Sequence, residues 1–369
     1  MEQSTLQRLN DLGDQLEALL EPINVAHYTA PLNRVDEKQQ FFASHTAEKV
    51  YNPQFTYRVP PSNWSFLLSQ FLLELQPDKN AWEQLVYQDI MLSLDMMRAV
   101  ATRDPVLTTE VTVKRYSEPS DELVQLAYKS LASLPLHSEA RTIASEDMAA
   151  QMREALTKTG LPDWHVDIID AMNANMSIRS VDKQIKVNSS SLFTTGELKR
   201  LLVHEIGTHV FRAVNGDLQL LRLLRFGLYN YMLTEEGLAS YHEAQYGLQT
   251  SEDKRRYALR VIAAHLSLKY SFYDVFSEVV QYTTPDEAFD IVTRSKRGFT
   301  DTSVPGCHVK DKVYFEGFLQ VSDYLERYPD DYSLLMCGKV SLSMLPLLKD
   351  LQESGCLAQP KYLPSSLVT

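Results

Sequence analysis

The chain is poor in cysteine, with three residues, Cys307, Cys337 and Cys356, among 369. Thiols so few and so scattered build neither a disulfide framework nor a thiolate metal site, and reduced thiols are the simpler reading. Long apolar runs are missing too. Stretches such as SFLLSQFLLEL are broken by polar residues well short of membrane-spanning length. The opening MEQSTLQRLNDLGDQLEALL shows neither a basic nor an apolar signal region, so a cytoplasmic protein without a membrane partner is expected. Positive charge is also short: the net charge of −12 argues against nucleic acid as the main partner. Repeats and low-complexity segments are absent. What is present is an ordinary globular composition, 44% hydrophobic and 23% charged, enough for a sizeable core.

Leu6, Leu9, Leu12, Leu16, Leu19 and Leu20 recur at helical intervals, which predicts an amphipathic helix over 6–21. A proline-punctuated stretch from APLNRVDEKQQ to NPQFTYRVPPSNW reads as loop and short turns. Residues 63–101 and 120–134 read as helix, with TEVTVKRYS (109–117) as a short extended break between them. From residue 164 the pattern alternates. WHVDIID, MSIRSV and KQIKVN predict two or three short strands, whose edge would suit an extended peptide. A helix follows, opened by the capping pair Thr194 and Glu197, and most of the chain beyond residue 228 reads as helix. The expectation is an α+β chain, mostly helical. A helical N-terminal part (1–105) packs on a catalytic domain (106–369), and one single domain is the alternative.

The helix after the strands contains LLVHEIGTHVFRAVNG, residues 201–216. Its His204, Glu205 and His209 sit in an otherwise apolar setting. Each polar group buried there without a partner would cost about 1–3 kcal/mol, so something must hold them. Neutral imidazoles suit zinc, and two histidines four residues apart on a helix lie close enough to share one ion. Here the spacing is five, which on a regular α-helix turns the second ring about 140° away from the first. A π-type widening restores the overlap, and Gly207 and Thr208 lie inside the step that must widen. Two core histidines satisfied by carbonyls are the bland alternative. A catalytic zinc needs a third protein ligand, and TEEGLASYHEA offers Glu235 and Glu236 on another expected helix. Adjacent helical residues point about 100° apart, so one of the two faces the metal.

HEIGTH followed by TEEGLAS resembles the family of microtubule-associated tyrosine carboxypeptidases. Its bacterial relatives carry a QEGLA motif and have been called flavohaemoglobin expression-modulating proteins; this chain has EEGLA in its place. NPQF (52–55), FTTGELKRLLVHEIGTH (193–209), RSKRG (294–298) and PGCHVKDKVYFEG (305–317) extend the resemblance over most of the chain from about residue 40. It implies a zincin-like metallopeptidase with a small sheet before the HExxxH helix. It also implies one zinc per chain on His204, His209 and Glu236, and catalysis by Glu205. Glu235 is then expected to steady a ligand histidine through its second ring nitrogen.

The function expected from this is a zinc metallocarboxypeptidase releasing a C-terminal residue, tyrosine or another aromatic, from peptides or proteins. The exopeptidase direction and the aromatic preference come from the resemblance alone. A zinc endopeptidase or aminopeptidase, or a non-catalytic regulator with structural zinc, are the alternatives. A carboxypeptidase must neutralise its substrate's terminal carboxylate, which favours arginine or lysine with a tyrosine hydroxyl beside them. Arg294, Arg297, Lys310 and Tyr314 are the candidates, in the turn-rich segment around Gly298, Pro305 and Gly306. The acidic balance argues against microtubule binding, because tubulin tails are acidic as well. Lys254, Arg255 and Arg256 read as a solvated helix face, and His165, His242, His265 and His308 as structural histidines.

Overall fold

A computed structural model describes all residues except 1, 21–24, 136–138, 171, 173 and 369. The chain divides into two compact units, and each is assembled from separated stretches. The first comprises Met1–Glu17, Ser138–Thr250 and Glu316–Thr369; the second comprises Ala18–His137 and Ser251–Phe315.

In the first unit, three strands form a small sheet: β1 (His165–Ile169), β2 (Met176–Arg179) and β3 (Gln184–Asn188). The order is β1-β3-β2, with β3 parallel to β1 and antiparallel to β2. Val166, Ile185 and Val187 are buried, and the helix Ser145–Lys158 packs on β1 and β3. The Ser145 hydroxyl at the head of that helix bridges the carbonyls of Asn188 (2.6 Å) and Ser191 (2.8 Å), tying it to the chain leaving β3. That chain enters the next helix, Thr195–Leu201, through a complete capping box. Thr194 Oγ1 accepts from the Glu197 amide, and the Glu197 carboxylate accepts from the Thr194 amide. The N-terminal helix Gln3–Leu20 buries Leu9, Leu12 and Leu16; Glu21, the last residue of the expected helix, lies outside the described residues.

The second unit is helical. Its helix Ser251–Ser267 is buried along most of its length by Tyr257, Ala258, Leu259, Val261, Ile262, Ala263 and Ala264. The helices Asp121–Ser133, Phe272–Val279 and Pro285–Ser295 pack against it.

Three expectations are corrected. TEVTVKRYS is not extended: it belongs to the helix Pro105–Tyr116. Asp104 caps that helix by accepting from the amides of Val106 and Leu107, Pro105 suits its first turn, and Thr108, Val111 and Thr112 form its buried face. Those signals outweigh the strand preference of its β-branched residues. Part of the stretch expected as loop is the helix Arg34–Thr46, held by Phe41, whose ring lies 4.7 Å from Phe276 and 5.3 Å from Phe272. Lastly, Arg255 and Arg256 are not a solvated face. Arg255 is buried and donates to the carbonyls of Leu131, Leu134 and Tyr282, while Arg256 engages Glu252, Asp253 and Glu287.

The whole is a mostly helical α+β protein with one small three-stranded sheet among the described residues.

Candidate metal centre and active site

The segment carrying both histidines is a nine-residue π-helix, Leu202–Val210, between the α-helices Thr195–Leu201 and Phe211–Asp217. The Phe211 amide bonds the Ile206 carbonyl five residues back, and Thr208 Oγ1 donates to the Val203 carbonyl across the same interval. Five-residue hydrogen bonding widens each turn, so the two rings return to one face. Their centroids lie 5.0 Å apart, edge to face.

Glu236 comes from the helix Tyr231–Gln245, which packs along the π-segment. Its Oε2 lies 3.6 Å from the Nε2 of His204 and 3.6 Å from the Nε2 of His209. Each of the three side chains offers one donor atom, and the three atoms lie within 4.8 Å of one another. Glu236 Oε2 is buried and has no hydrogen-bond partner, a position that costs about 1–3 kcal/mol or more for a charged oxygen unless a cation or proton occupies it. The set fits a cation that takes one nitrogen from each ring and one carboxylate oxygen.

The opposite ring nitrogens are already committed. His204 Nδ1 pairs with Glu243 Oε1 at 2.8 Å, and that carboxylate also accepts from Arg200 at 2.6 Å. His209 Nδ1 pairs with Glu235 Oε1 at 2.8 Å, and Glu235 binds the fully buried Arg212 through its other oxygen. Each ring is thus oriented by a carboxylate that a buried arginine fixes in turn, which leaves Nε2 turned towards Glu236.

Burial by itself would lower the pKa of His204, but the carboxylates of Glu236 and Glu243 facing its two ring nitrogens reverse this and carry it up to about 10. The same contest, with Glu235 and Glu236 as partners, brings His209 to about 9. Burial would raise Glu235, yet Arg212, Lys339 and His209 hold it down at about 2; the two histidines likewise keep Glu236 well below the usual carboxylate range. These shifts share one cause, a pocket between the two rings and Glu236 that favours positive charge.

Glu205 follows the first histidine, half-buried, and no described hydrogen bond or ion pair engages its carboxylate. Behind the π-segment, Thr208 Oγ1 meets His242 Nδ1 at 2.8 Å, and Tyr332 Oη meets His242 Nε2 at 3.0 Å. Since Thr208 spends its proton on the Val203 carbonyl, His242 Nδ1–H donates to it and Nε2 accepts from Tyr332. Burial drives the pKa of His242 down to about 3 and keeps the ring neutral. Gly237, next to Glu236, lets the helix Val313–Arg327 approach closely. A Cβ at Gly237 would fall 2.3 Å from the carbonyl carbon of Gly317.

The expected carboxylate-binding residues lie in the second unit. Arg294 and Arg297 both donate to the buried Asp311, and Arg297 also meets His308 Nδ1 at 3.3 Å. Lys310 belongs to the short helix Val309–Lys312, and the Tyr314 ring stacks on Tyr257 with centroids 5.3 Å apart. Glu243, Arg200 and Arg212 escaped the sequence reading. Glu243 had a signal: it lies seven residues after Glu236, hence on the same helical face.

A family model described as microtubule-associated tyrosine carboxypeptidase matches residues 39–369. The chain belongs to this family. It is 28% identical over 344 residues to the putative tyrosine carboxypeptidase MATCAP2 of Mus musculus, covering 90% of the chain and 57% of that protein. To microtubule-associated tyrosine carboxypeptidase 1 of Homo sapiens it is 28% identical over 317 residues, 84% of the chain and 58% of that protein. Over a 172-residue stretch it is 36% identical to human MATCAP2, covering 45% of the chain and 32% of that protein. Thus this family member spans less than three fifths of the length of its curated relatives.

Proposed function

We propose that the chain is a zinc-dependent, zincin-like metallocarboxypeptidase that releases a C-terminal residue, tyrosine or another aromatic, from peptides or proteins. The observation that carries the proposal is the convergence of His204 Nε2, His209 Nε2 and Glu236 Oε2, with Glu205 directly after the first histidine. Two nitrogens and one carboxylate oxygen are the donor set of a catalytic zinc that keeps a position for water. The family supplies the exopeptidase direction and the aromatic preference. Its relatives are named for microtubules, but this chain's charge of −12 opposes docking on an acidic polymer, so a peptide or protein C-terminus is the partner proposed.

A zinc ion bound there would lower the pKa of its water towards about 7 and polarise the scissile carbonyl. The remaining work falls to the chain's own side chains. Glu243 and Glu235 hold His204 and His209 with Nε2 facing inwards. Glu205 takes the proton of the attacking water on its free carboxylate and delivers it to the leaving amine. Arg297 and Lys310 are proposed to neutralise the substrate carboxylate, with Arg294 and Tyr314 beside them, by the chemistry of their side chains.

Glu205→Gln tests the proton transfer. It keeps metal and fold but lowers turnover by roughly 10²–10⁴-fold, the usual contribution of a positioned acid–base group. Near wild-type turnover in that variant would remove Glu205 from the mechanism.

A further inference from the structure

The second unit contains an arginine that no carboxylate claims. Arg260, on the helix Ser251–Ser267, enters no hydrogen bond or ion pair among the described residues, and its Nε is buried without a partner. Neighbouring acids are taken. Asp311 accepts from Arg294 Nε through Oδ2 and from Arg294 and Arg297 through Oδ1, the latter at 2.8 Å. Glu287 accepts from Arg256 Nε at 2.6 Å and from the Thr283 hydroxyl. Arg297 Nε is likewise buried and unpartnered. The Arg260 guanidinium is instead held in place by aromatics, 4.4 Å from the Tyr314 ring centroid and 5.7 Å from that of Tyr257, which stack on each other 14° from parallel. A planar guanidinium stacked on a rigid ring keeps its outward N–H groups oriented for a two-pronged acceptor. Arg294, 29% exposed, leaves the cluster open to solvent at one end. Burial and the nearby Arg294 charge disfavour the cationic form of Arg260 more than the Asp311 charge restores it, so the cluster gains from an added negative charge.

We infer that Arg260 is the anchor of an oxyanion site formed with Arg294 and Arg297, and that its ligand is a peptide carboxylate. Carboxylate and inorganic phosphate share the required chemistry, a pair of acceptor oxygens matching one guanidinium edge. The choice of a peptide rests on the peptidase proposal; the unclaimed guanidinium does not.

Calorimetric titration of the full chain carrying Glu205→Gln tests this without reading turnover, so a failed peptidase assignment leaves the result interpretable. The probes are a short peptide with a free C-terminus, the same peptide as its C-terminal amide, and inorganic phosphate. The free acid should bind about tenfold or more tightly than the amide, as loss of one charge-assisted pair implies. Adding Arg260→Gln should bring that ratio near one, and Arg260→Lys, which keeps the charge but not the fork, should fall between. A Lys variant with the wild-type melting temperature keeps the test valid if the Gln variant fails to fold. An unchanged acid-to-amide ratio in folded Arg260 variants would overturn the site. Arg260-dependent binding of phosphate, with acid and amide bound alike, would overturn the peptide assignment.

Discussion

At the scale of single residues, the centre depends on how its imidazoles are held. Glu243 is fully buried between Arg200 and His204, so Glu243→Gln keeps the volume but weakens the grip on Nδ1. Losing such an orienting partner typically weakens metal affinity by about 10–100-fold. We expect that loss in a competition titration with a chromogenic chelator; unchanged affinity would show that the Glu243 contact does not orient the ligand. His204→Ala and Glu236→Ala, which remove donors outright, should reduce bound zinc from one per chain to a trace by elemental analysis. The trio His204, His209 and Glu236, whose donor atoms the structure brings together, was legible because HExxxH and EEGLA are contiguous strings. Arg200 and Arg212 were not, because their carboxylate partners lie 43 and 23 positions away and no local pattern marks them, while Glu243 carried only its seven-residue spacing from Glu236.

At the scale of elements, a five-residue spacing was enough to demand a π-type widening, because an α-helix would turn His209 away from His204. The structure extends that widening to nine residues. Thr208 pins it by bonding the Val203 carbonyl and receiving His242. Thr208→Val should therefore lower metal affinity while Thr208→Ser restores it, since serine keeps the hydroxyl. Equal affinity in all three proteins would mean the segment holds its register without this bond. The tight pairing of Gly237 with Gly317 gives a second element-scale expectation. In Gly237→Ala the methyl group strikes backbone, and overpacking of this kind costs about 1–3 kcal/mol or more. A melting temperature equal to wild type would contradict it. The helix Pro105–Tyr116 was misread for the opposite reason: its β-branched residues advertise a strand, while its cap and buried face were overlooked.

At the scale of the whole molecule, the two units interleave along the chain, which local hydrophobic periodicity does not encode. The charge arrangement of the centre gives a global pH expectation. In the metal-free protein His204 and His209 are raised to about 10 and about 9, above the ordinary 6.5 of an unfolded chain. Their contribution to stability is fully present below about 6.5 and is lost as pH rises through 9 to 10. Metal needs the same nitrogens unprotonated, so its binding strengthens over that interval. The gap in melting temperature between zinc-loaded and chelated protein should therefore widen from pH 6 to pH 9; a gap independent of pH would contradict the assignment of these two rings as ligands. The claim at the centre of the account is metal-dependent removal of single residues from peptide C-termini. The most direct measurement is mass-spectrometric profiling of a mixed peptide pool incubated with the purified protein, alongside chelated protein and Glu205→Gln. The account predicts products shortened by one C-terminal residue, enriched for lost tyrosine or another aromatic, in the untreated sample alone; internal or N-terminal cleavage, or the same products in all three samples, would contradict it.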